Sequence, residues 1–114
     1  MAAVVALVIL FAATPTPAPV HVTANDLVGM WTTVRGDCSE GQHMLKANGE
    51  YIGWCFDSVS PGKWFLRGGN RIVLPSDSKK VPDEIIFIDG FEPHSDRTFL
   101  YVHYQNGARE KWMK

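Results

Sequence analysis

What the chain lacks excludes most function classes. It has only two cysteines, Cys38 and Cys55, at a spacing far from the Cys-x-x-Cys of metal or redox sites. No basic block is present: Lys79-Lys80 and Arg109-Glu110-Lys111 are short and balanced by acids, and the net charge is −1. That excludes the basic face needed to neutralise nucleic-acid phosphates or to dock on anionic lipid. No Gly-rich loop opens a helix, so no phosphate cradle is expected. The serines (Ser39, Ser58, Ser60, Ser76, Ser78, Ser95) fall in turn-rich segments outside any nucleophile motif, and Asp83-Glu84 would point to opposite faces of a strand. The chain is expected not to be an enzyme and to carry no cofactor and no metal.

Long hydrophobic runs are missing too. Ala2 to Ala13 is apolar and no charged side chain precedes Asp26. As a helix that run rises about 18 Å against a hydrocarbon core of roughly 30 Å, so it is too short for a stable membrane span. A secretory signal h-region fits, although the usual Lys or Arg before it is absent. Small residues permit cleavage after Ala18 or after Ala24, and the second avoids the prolines. The expected organisation is a signal peptide over 1–24 and one domain over 25–114, periplasmic or secreted. An oxidising compartment would join Cys38 to Cys55, two separate buried thiols being the alternative.

Turns are abundant. Asn48-Gly49 and Asn106-Gly107 each separate strand-forming runs, the strongest short-range signal for a hairpin. Gly68-Gly69-Asn70 marks a third. Read as two-residue turns, the Asn-Gly pairs set His43 opposite Trp54, Tyr101 opposite Trp112 and His103 opposite Glu110. The third hairpin packs best with a three-residue loop that opposes Leu66 to Ile72. Asn25 or Asp26 could cap a short helical turn, Ser60-Pro61-Gly62 reads as a turn, and Arg35-Gly36-Asp37 as part of a loop. No stretch holds a helical period over several turns. The domain is expected to be all-β: an antiparallel meander of about eight strands closed into a small barrel, with a split β-sandwich as the alternative.

Leu27-Val28-Gly29-Met30-Trp31 resembles the Gly-x-Trp opening of lipocalins, and Asn48-Gly49-Glu50-Tyr51 with Gly62-Lys63-Trp64 is similar to small lipocalin-like domains of exported bacterial proteins. The resemblance implies that Trp31 packs across the closed barrel end beneath a cation from near the last strand, for which Arg109 is the nearest candidate. A Thr-Asp-Tyr-type second motif is absent and the domain has about half the length of the longer lipocalins, so a filled or shallow barrel stands beside a large ligand cavity as an equal expectation.

His43, Trp54, Tyr101 and His103 carry polar atoms on the face read as interior and are the candidate cavity residues. Zinc shared by His43, His103 and Glu110 is the alternative to a plain His103–Glu110 pair with His43 beside Trp54, and the plain pairing is expected. Two functions follow. One is an exported binding protein for a small apolar or amphipathic ligand. The other is a module binding an exported protein partner, as an inhibitor or immunity protein would, through loops 35–41, 76–82 and 90–96 clustered at one barrel end.

Overall fold

The computed structural model describes residues 20–36, 38, 41–55 and 58–114; the signal segment expected over 1–24 falls largely outside them. Among these described residues one helical turn, α1 (Ala24–Leu27), precedes nine antiparallel strands: β1 (Gly29–Arg35), β2 (Gln42–Leu45), β3 (Glu50–Cys55), β4 (Ser58–Lys63), β5 (Phe65–Arg67), β6 (Arg71–Leu74), β7 (Glu84–Pro93), β8 (Thr98–Tyr104) and β9 (Arg109–Met113). The sheet runs β4-β3-β2-β1-β9-β8-β7-β6-β5. Every strand but one pairs with the next in sequence, β4 and β5 being the exception, and β1 pairs with β9, so the meander bends round into a nearly closed barrel with one seam, between β4 and β5. No described helix is long and apolar enough to cross a membrane.

The seam has a local cause. Ser60-Pro61-Gly62, read as a turn, instead lies within β4, where Pro61 has no N–H to offer a further strand and is confined to an edge. Trp64 then turns the corner into β5. Its backbone N–H donates to Gly49 O at 2.9 Å and its indole N–H to Lys46 O at 2.9 Å, so this residue ties the corner to the loop between β2 and β3.

Both Asn-Gly hairpins use three-residue loops rather than two. Lys46 N–H donates to Glu50 O and Tyr104 N–H to Ala108 O, with Gly49 and Gly107 each at φ 89° in the last loop position. That is the loop in which glycine supplies the left-handed residue. The Asn side chains brace it: Asn48 Oδ1 accepts from Glu50 N–H at 3.0 Å and Asn106 Oδ1 from Ala108 N–H at 2.9 Å. One extra loop residue shifts the register by one and turns a whole strand over. Leu45 therefore opposes Tyr51, and Leu100 opposes Trp112. The Gly68-Gly69-Asn70 hairpin opposes Leu66 to Ile72 as expected.

The core holds Trp31, Leu45, Ile72, Leu100 and Trp112, all without solvent exposure, together with Ile86 and Val102. One end is shut. Thr23, not Asn25 or Asp26, is the N-cap of α1 and shares a capping box with Asp26, whose carboxyl is held below its usual range by hydrogen bonds from Thr23. Leu27 and Val22 are buried beneath this turn, and Val22 N–H donates to Gly69 O at 2.7 Å. Trp31 Nε1 donates to Leu27 O at 2.8 Å. The cation above Trp31 is Lys114, with Nζ 4.7 Å from the ring centroid. Arg109, the expected partner, lies exposed at the far end of β9. At the open end Cys38 and Cys55 form a disulfide, of the kind an oxidising environment maintains.

Candidate functional site

At the open end the inward positions change from apolar to polar. Along β9 the inward series is Trp112 then Glu110; along β8 it is Leu100, Val102, then Tyr104; across β2 and β3 it includes Leu45, His43 and Tyr51. Register places His43 opposite Gly53. With no side chain there, the Tyr51 ring leans over Gly53, so close that an added Cβ would stand 2.5 Å from Tyr51 Oη.

The polar atoms form a network. Tyr51 Oη lies 3.0 Å from His43 Nδ1, and Thr33 Oγ1 lies 3.2 Å from His43 Nε2. Glu110 Oε1 accepts from Tyr104 Oη at 2.5 Å and from Trp112 Nε1 at 3.0 Å, and is 3.7 Å from His43 Nε2. The His43 ring stacks on Trp112 with centroids 4.0 Å apart. A neutral imidazole with its proton on Nε2 would turn that donor towards Glu110 and Thr33 and accept from Tyr51 at Nδ1. Glu110 is only 8% exposed, and two donors on one oxygen compensate its burial. No buried side-chain polar atom among the described residues lacks a partner.

Burial sets the protonation states. It pushes the His43 pKa down to about 4, against a smaller upward pull from Glu110. It pushes both tyrosines far up, Tyr104 with added effect from its hydrogen bond to Glu110, and Tyr51 from the charges of Glu84 and Glu110. Both phenols stay protonated and serve as donors. Thr33, the aliphatic hydroxyl on the histidine, is 1% exposed, which leaves it closed to a substrate as a nucleophile.

Above the network lies a cavity of about 240 Å³, bordered by His43, Tyr51, Trp54, Glu84, Tyr104 and Glu110, with the disulfide and Ser60 at its rim. A groove of about 260 Å³ along the β4 side of the seam adjoins it and shares Tyr51, Ser60 and Glu84.

Of the residues singled out in the sequence, His43 faces this mouth and Trp54 borders it from the other face of β3, half-buried and paired with Gln42. Tyr101 and His103 point outward, because the longer Asn106-Gly107 loop puts Leu100, Val102 and Tyr104 inside. His103 Nδ1 is 2.8 Å from Asp89 Oδ1 and its ring stacks on Phe87 at 4.7 Å. Tyr101 packs under Lys111, whose Nζ is 5.3 Å from its ring. His43 and His103 are therefore on opposite faces and cannot share a metal, and Glu110 pairs towards His43. Among the described residues no three His, Cys, Asp or Glu side chains converge as a metal site requires. Tyr51, Glu84 and Tyr104 went unrecognised as mouth residues; a three-residue reading of the Asn-Gly loops would have turned both tyrosines inward. The loop between β1 and β2 and that between β6 and β7 lie at the open end, whereas the His94–Arg97 turn lies at the closed end, beside Lys114. No family model matches the chain, and neither curated proteins nor solved structures offer a match.

Proposed function

We propose that this chain is an exported, lipocalin-like binding protein that holds a small polar or amphipathic ligand in the mouth of its barrel. The observation that carries the reading is the cavity of about 240 Å³, ringed by His43, Tyr51, Glu84, Tyr104 and Glu110, above an interior filled by tryptophan and aliphatic side chains. At about 30 Å³ per water it has the volume of roughly eight waters, below the few hundred Å³ of drug-sized pockets. Large lipids and pigments have no space. A ligand of fragment size with one hydrogen-bonding end does.

Export is supported by the apolar leader and by the disulfide. Cleavage after Ala18 keeps Val22 in the core and Thr23 as the cap of α1, whereas cleavage after Ala24 would remove both. The test of function is a fragment screen by NMR on the disulfide-bonded domain, with small neutral, cationic and anionic aromatics as probes. Shifts gathering at the Trp112 indole, His43 and Tyr104 are expected. A screen in which no probe moves those signals would overturn the reading.

A further inference from the structure

We infer that the mouth selects small organic cations, aryl-alkyl amines above all. This rests on the ligand-binding reading and names the class of ligand. Two carboxylates, Glu84 and Glu110, border the cavity, and among the described residues no Lys or Arg does. The nearest bases in sequence, Arg109 and Lys111, flank Glu110 on β9 and so lie on the outer face by strand alternation; Lys111 Nζ sits 4.3 Å from the Phe99 ring there. His43 adds no positive charge, since burial among Thr33, Tyr51, Trp112 and Glu110 keeps it neutral. The described charges that border this cavity are therefore acidic, with Lys63 set on the adjoining groove and Arg35, Arg109 and Lys111 on a separate pocket behind Glu110.

The walls are aromatic as well as acidic. His43, Tyr51 and Tyr104 border the volume from the inward face, and aromatic ring faces attract a cation. The two carboxylates differ in exposure: Glu110 is buried and held by Tyr104 and Trp112, whereas Glu84 is exposed at the rim. A primary ammonium can thus meet Glu84 at the entrance and reach towards Glu110, with its aryl group against Tyr51 and Tyr104. A carboxylate ligand of the same shape would face two like charges in a partly desolvated space, which is strongly unfavourable.

Three probes of one shape separate charge from fit: benzylamine, benzyl alcohol and benzoate, titrated at neutral pH while the Trp112 indole and His43 ring signals are followed. Benzylamine is expected to bind about fivefold or more tightly than benzyl alcohol, and benzoate not to bind. Glu84→Gln, at an exposed position that leaves the core intact, is expected to weaken benzylamine about threefold or more, and by a larger factor than benzyl alcohol. If benzoate or benzyl alcohol binds as well as benzylamine, or if Glu84→Gln has no effect on the amine, cation selection is wrong while the mouth still binds. If none of the three binds, selection and the binding reading fall together.

Discussion

The Lys114 ammonium caps the Trp31 ring, 4.7 Å from its centroid, and donates to Asp26 O and Val28 O at 2.7 Å each. One side chain thereby ties α1, the start of β1 and the residue after β9 across the closed end. Desolvation pulls the Lys114 pKa below its usual value, partly opposed by Asp26. Replacing Lys114 by Met keeps the aliphatic stem and removes the charge and three donors. A loss of about 1–2 kcal/mol is expected, read from the urea midpoint, with Lys114→Arg recovering most of it. A Met variant as stable as the parent would mean that the aliphatic stem alone seals this end.

At the other end the shape of the mouth depends on an absent side chain. A Cβ at Gly53 would meet Tyr51 Oη at 2.5 Å and Cζ at 3.0 Å. Gly53→Ala should therefore push the ring away from His43, break the Tyr51–His43 hydrogen bond and cost about 1–3 kcal/mol. Thermal unfolding reads the cost, and the His43 ring signals read the broken bond. Unchanged ring signals would show that Tyr51 does not depend on that space.

These residues also mark how far the sequence could be read. The all-β meander, three of its hairpins and the Cys38–Cys55 link follow from turn residues and strand composition. Which face each strand turns inward was legible only where one face was plainly apolar. Leu66 opposite Ile72 selected the right loop at Gly68-Gly69-Asn70. On β3 and β8 both faces carry large residues, Tyr51 against Ile52 and Trp54, and Leu100 and Val102 against Tyr101 and His103. Hydrophobicity then did not decide between a two-residue and a three-residue Asn-Gly loop, and the one-residue difference exchanged the mouth residues for outer ones. Closure of β1 onto β9 and the plug of Val22 and Leu27 are long-range, and no local pattern announces them.

The disulfide closes the open end across a sequence separation of 17. In the chain-entropy picture a loop of that length contributes about 3 kcal/mol by restricting the unfolded chain. Paired Cys38→Ser and Cys55→Ser substitutions should lower stability by about that amount, and dithiothreitol should lower the parent to the same level. A parent indifferent to reductant under conditions that cleave the bond would show that the barrel holds its mouth without it.

His43 should make the barrel acid-sensitive. In the unfolded chain its imidazole titrates near its ordinary 6.5, whereas burial takes the folded value to about 4. Between those values unfolding takes up a proton, so the contribution is fully present above pH 6.5 and is lost as pH falls towards 4. The side chain is 12% exposed, which leaves little solvent screening, and the loss is on the order of 3 kcal/mol. Protonation would also place a second donor at Nδ1, where Tyr51 now donates, so the network around His43 must rearrange as the charge arrives. Urea unfolding of the parent and of His43→Gln at intervals from pH 7 to pH 4 isolates this term, because the remaining carboxylates titrate in both. The parent should lose stability faster than the variant across that window. Parallel curves would mean that His43 titrates alike in the folded and unfolded chains, and that the stack on Trp112 does not keep it neutral.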